Sequence, residues 1–153
     1  MASPIVETVQ AVCSALRTLV SEGTVKIPSL RIIETYKPLV ALEGFQEGVT
    51  AIVYPQSSTR NRAGQSAGFD EYQVDVAVEL VTPVDYENIL PQQITMLNHA
   101  QTVADGLSQK LATSNGLMAA SDAGMFEEVM IDELDLISCK VSGIYRVQHA
   151  VTA

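Results

Sequence analysis

EYQVDVAVEL, residues 71–80, is the stretch that decides the fold. Tyr72, Val74, Val76, Val78 and Leu80 alternate with Glu71, Gln73, Asp75, Ala77 and Glu79. Successive side chains on a strand point to opposite sides, so this order predicts one apolar and one largely acidic face. A strand of that kind is half-buried and belongs to an antiparallel sheet with one covered side. It needs an apolar layer over its valine face.

Upstream, Val49–Tyr54 is a second β-prone run, which Pro55 is expected to end. Between the two runs stands PQSSTRNRAGQSAG, residues 55–68, with no acid, no aromatic and no large aliphatic residue. Hairpin connections are usually about two to five residues long, so this one exceeds a turn. A segment so polar cannot enter the chain's own core, and a projecting hairpin arm is expected over 55–68. A solvated loop is the plainer alternative.

The covering layer is readable in the first twenty residues. Ser3-Pro4 is an N-cap followed by proline at the first helical position. Ile5, Val9, Val12, Leu16 and Leu19 then recur at helical spacing until Gly23. This stripe is expected to lie on the valine face of 72–80.

Val25–Ile27 and Leu30–Ile33 read as extended. Pro83-Val84-Asp85 is expected to open a second helical region, with Ile89, Met96, Leu97, Ala100, Val103, Ala104, Leu107 and Leu111 on its stripe. Pro91 would start or kink its main helix, and Asn115-Gly116 would end it. Residues 119–124 read as a small-residue linker, and 126–136 do not choose between strand and loop. Val141, Tyr145, Val147, His149 and Val151 form a closing strand. The expectation is one α+β domain, residues 1–153, with a mostly antiparallel sheet and helices packed on one face.

Composition narrows the function. The 153 residues are 47% hydrophobic, so enough side chains exist to form a core. No apolar run approaches the roughly 18 residues of a spanning helix and no signal-peptide pattern opens the chain, so no membrane or secreted role is expected. Nine Lys and Arg face eighteen Asp and Glu, net −9, which argues against sequence-specific DNA binding. Residues 1–54 hold five acids and four bases, and residues 70–153 thirteen acids and three bases. The segment 55–68 holds only Arg60 and Arg62. It is a cationic island in an acidic chain.

Catalytic signatures do not assemble. Cys13 and Cys139 are too few and too far apart for a disulfide framework or a thiolate zinc site. His99 and His149 have no ligand at metal spacing. Asp122 and Glu133 stand at the first and twelfth places of a calcium loop, but Gly124, Phe126 and Glu127 occupy its third, fifth and sixth places. No phosphate-cradling or nucleophile-elbow motif occurs. No catalytic, cofactor-binding or metal-binding residue, and no cofactor, is expected.

Val53–Val81, VYPQSSTRNRAGQSAGFDEYQVDVAVELV, resembles the strand, arginine-bearing arm and Tyr-x-Val-Asp-Val return strand of tailed-phage tail completion or tail terminator proteins. The order of amphipathic helix, strands, hairpin, helix and closing strand is similar to that family over nearly the whole chain. The resemblance implies a small α+β protomer in a ring, expected to be a homo-hexamer, at the head-proximal end of the tail tube. There it would stop tube polymerisation and join tail to neck, with a tube protein and a neck or head-completion protein as partners. Genomic DNA would pass through the lumen without sequence-specific binding. Tyr54-Pro55 would end the first hairpin strand, and Asp70-Glu71-Tyr72 would begin the return strand. Arg60, Arg62, Gln65 and Phe69 are the expected interface residues. Another tube, neck or head–tail joining protein is the nearest alternative, and a cytoplasmic enzyme or small-molecule binding module is an alternative of a different class.

Overall fold

The computed structural model describes residues 3–36, 48–61, 69–111, 117–119, 125–126, 130–131 and 136–150. Helix α1 runs Pro4–Ser21, followed by β1 (Arg31–Glu34), β2 (Thr50–Asn61) and β3 (Phe69–Pro83). Helix α2 (Ile89–Leu111) leads to β4 (Leu117–Ala119), β5 (Met125–Phe126), β6 (Met130–Ile131) and the long β7 (Leu136–Ala150). The class is α+β. The strands form a sheet ordered β1-β2-β3-β7-β4, with β5 and β6 also paired to β7. All pairings are antiparallel except β1 with β2.

The start of α1 follows its sequence signals. The Ser3 hydroxyl accepts the Ile5 N–H at 3.2 Å, and Pro4 takes the first turn, where a missing N–H costs nothing. At the other end Gly23 adopts φ 79°, a left-handed conformation that lets the Thr24 N–H reach the Leu19 carbonyl at 3.0 Å.

Both helices cover the same side of the sheet. Val9, Val12, Leu16 and Leu19 of α1 join Met96, Ala100, Val103, Ala104 and Leu107 of α2 over Ala51, Val53, Val74, Val76, Val78 and Leu80. Ile5 and Tyr72 are partly buried against this cluster. The two apolar periodicities thus meet as expected. A Cβ on Gly106 would lie 2.9 Å from Leu19 Cδ1, so glycine permits the close approach of α2 to α1. The opposite sheet face holds a smaller buried cluster, Ile52, Tyr54, Ala77, Val81 and Leu136.

Three expectations change. Pro55 does not end β2: the strand continues to Asn61, opposite Glu71. β1 stops at Glu34, opposite Val53, so beyond Tyr54 no residue of β1 asks Pro55 for an N–H. The first half of the 55–68 segment is therefore paired strand. Its second half, 62–68, lies outside the described residues.

Pro83 and Val84 do not open a helix, because Pro83 still pairs with Leu136 and α2 begins at Ile89. A turn intervenes, in which the Asp85 carboxylate accepts the Glu87 N–H and the Asn88 Nδ2. Pro91 lies in the first turn of α2, where no intrahelical acceptor exists for its absent N–H. Val25 and Ile27 are buried but lie in coil rather than strand. The ambiguous region contributes β5 and β6, both paired to β7. Asn115, Gly116, Asp122, Glu127 and Glu133 lie outside the described residues.

Candidate functional site

The cationic island reaches the far end of the sheet, beyond the strongly buried part of β2. Gln56, Ser57, Ser58, Thr59 and Arg60 are all exposed, in contrast to the buried run Thr50–Tyr54 before them. The change follows directly from residue type, since only polar side chains can stand exposed on both sides of a strand without cost.

A β-bulge sets which way these side chains face. Pro55 is opposite Val76, yet Ser57 is opposite Asp75, so Gln56 is an extra residue on β2. The insertion inverts the in–out alternation. Ser58 and Arg60 then share the helix-side face with their partners Val74 and Tyr72. Accordingly the Arg60 guanidinium carbon lies 5.8 Å from the centre of the Tyr72 ring. A cation over an aromatic face at such an exposed site contributes about 0.5–1 kcal/mol, enough to bias the side chain's direction.

Gln56 takes a second role. Its Nε2 donates to Ser142 Oγ at 3.0 Å, and Lys140 Nζ donates to its Oε1 at 3.2 Å. Both partners lie on β7, so the glutamine reaches across β3 and ties three strands together where the bulge disturbs the ladder. Beside it the Tyr54 hydroxyl donates to Glu79 Oε2 at 3.2 Å, and Glu79 stands directly opposite Lys140. The expectation that Pro55 ends the strand hid Gln56, and taking Tyr72 only as a core residue hid its role under Arg60. The signal present in the sequence was Pro55-Gln56, a proline inside a polar strand, which is a common mark of a bulge.

The expected interface residues are placed as follows. Arg60 is in β2, exposed and stacked on Tyr72. Phe69 opens β3 opposite Ala150, the last residue of β7. Arg62 and Gln65 lie outside the described residues. The arrangement can offer a cation, hydroxyls and amides on a hydrogen-bonded three-stranded end, which suits recognition of an acidic surface.

Burial dominates the titratable groups elsewhere whose proton affinity is shifted. Burial holds both thiols up at about 11, with Glu34 adding to the effect at Cys13 and Arg17 opposing it. Burial, and then the charge of Asp75, raises the Tyr145 phenol. His99 on α2 is pushed below its ordinary value by burial. Among the described residues no three His, Cys, Asp or Glu side chains come together in a way that could hold a metal ion. A scan against protein-family models found no match, and a search of curated proteins likewise returned none.

Proposed function

We propose that this protein is a structural component of a phage tail, a terminator that forms a ring, expected to be hexameric, at the head-proximal end of the tail tube. The observation that carries the reading is the acid-free stretch 48–69. It contains two arginines, and it presents Arg60 on the end of a braced sheet in a chain of net charge −9. An identical copy offers complementary charge, and a basic end against an acidic neighbour is a head-to-tail contact, the kind that closes into rings. The resemblance of Val53–Val81 to tail terminator proteins supports the same reading.

The role involves no chemical step, only assembly with copies of itself, with a tube protein and with a neck protein in the virion. An acidic lining would suit a channel for DNA, since cationic walls would hold the phosphates.

Solution mass and charge reversal together test it. The wild-type protein should sediment as a hexamer, or assemble when offered tube ends. Arg60→Glu combined with Arg62→Glu should leave the protomer folded and weaken assembly in a salt-dependent way. Normal assembly of the charge-reversed protein at low and physiological salt would overturn the electrostatic basis of the ring.

A further inference from the structure

Helix α2 has a second apolar stripe that faces away from the core. Leu90 and Ile94 are one turn apart and 67% and 51% exposed, and Tyr86, in the turn that precedes the helix, is 62% exposed. The buried stripe of the same helix runs through Met96, Ala100, Val103 and Leu107, on the other side. Large apolar side chains exposed singly are ordinary, but Leu90 and Ile94, four apart on one helix, are surface neighbours, and the turn that leads into the helix exposes a third, Tyr86; clustered exposure of this kind marks contact surfaces.

The charge around the patch is one-sided. From Pro83 to Gln109 the sequence holds Asp85, Glu87 and Asp105 and no Lys or Arg. Asp85 and Glu87 are exposed beside Tyr86. From Gly48 to Phe69 the balance is the reverse, with Arg60 and Arg62 and no acid. These two complementary segments sit at opposite ends of β3. Tyr72, opposite Arg60, and Pro83, where the acidic turn begins, are eleven residues apart on one strand. At about 3.3 Å per residue the separation is about 36 Å, so the two cannot meet within one copy.

We propose that the start of α2 and the turn before it, with Leu90, Ile94 and Tyr86 at the centre and Asp85 and Glu87 at the rim, are the docking surface for the Arg60-bearing end of the β2–β3 pair of a second copy of this chain. The inference rests on the ring reading above and names its receiving surface. The apolar centre supplies contact area shielded from water, and the charged rim supplies direction, the usual division in an interface. Because the two surfaces are different patches, the contact is heterologous.

Two measurements test it. In sedimentation, Leu90→Ser combined with Ile94→Ser should weaken self-association by about tenfold or more, while helix content and melting temperature stay at wild-type values because both side chains are exposed. In cross-linking, chains carrying only Leu90→Cys mixed with chains carrying only Ser58→Cys should give mixed disulfide dimers, and neither chain alone should dimerise under the same dilute conditions. A wild type that self-associates together with a double-serine variant that associates equally well would overturn the docking surface and leave the ring reading standing. Dimers of Leu90→Cys alone, or no mixed dimers, would overturn the head-to-tail pairing. A wild type that stays monomeric at all concentrations would overturn the docking of free copies, whereas the ring reading would fall only if the wild type also failed to assemble on tube ends.

Discussion

The phenol of Tyr145 lies over Gly143, two residues back on the same strand, so that a Cβ on Gly143 would stand 2.7 Å from the Tyr145 hydroxyl oxygen. Tyr145 is 2% exposed and belongs to the core cluster beneath the helices. The glycine is therefore a seat for the ring. Glycine in a strand interior normally weakens it by about 0.5–1 kcal/mol relative to alanine, but overpacking a buried ring costs about 1–3 kcal/mol, and the second effect wins. Gly143→Ala should lower stability in urea unfolding, and Gly143→Ala with Tyr145→Phe should recover part of the loss.

Val76 is the centre of the valine face, 1% exposed and flanked by Pro55 and Gly143. Val76→Asp places a charge among α1, α2 and the sheet with no partner, and should cost several kcal/mol, enough to unfold a marginal protein. Val76→Ala should cost about 1–3 kcal/mol by loss of packing alone. Denaturant midpoints for the two variants check the order.

His99 is half-buried on α2, and burial lowers its pKa below the ordinary 6.5. The folded state therefore binds the proton less readily than the unfolded chain. Above 6.5 both states are neutral there and the residue contributes no pH dependence. As pH falls below 6.5 the unfolded chain takes up the proton first, so stability declines until the folded-state pKa is passed. Unfolding midpoints between pH 7.5 and 5 should fall in the wild type and fall less in His99→Gln.

Cys13 and Cys139 are buried thiols, not joined in a disulfide, and both are held near 11. At pH 8 the thiolate fraction is small and the sulfur is covered, so both should resist alkylation in the native protein and react rapidly in denaturant. Rapid modification of either cysteine in the folded protein would contradict its burial between the helices and the sheet.

Much of the architecture is written in local pattern. The period of two in Glu71–Leu80 and the helical spacing of Ile5–Leu19 each demand a burying partner, and they meet because each supplies what the other lacks. Ser3, Pro4 and Gly23 mark the ends of α1 through backbone chemistry that operates within one turn. These are short-range requirements, so sequence alone determined them, and the chain's charge asymmetry, which needs no fold, was equally legible.

What tertiary structure decided depends on neighbours in space. Pro55 reads as a strand terminator, yet it is tolerated because β1 ends opposite Val53 and leaves no β1 donor requirement beyond. The extra residue Gln56 then turns Arg60 to the side of Tyr72, and no periodicity foretells an inversion that arises between paired strands. Leu90 and Ile94 fall off the apolar stripe of their helix in the sequence, but periodicity does not say which side of a helix a core covers. Only the docking of Met96, Ala100, Val103 and Leu107 against the sheet leaves them facing outward, because a helix can bury one side against a core and must present the other to whatever comes next.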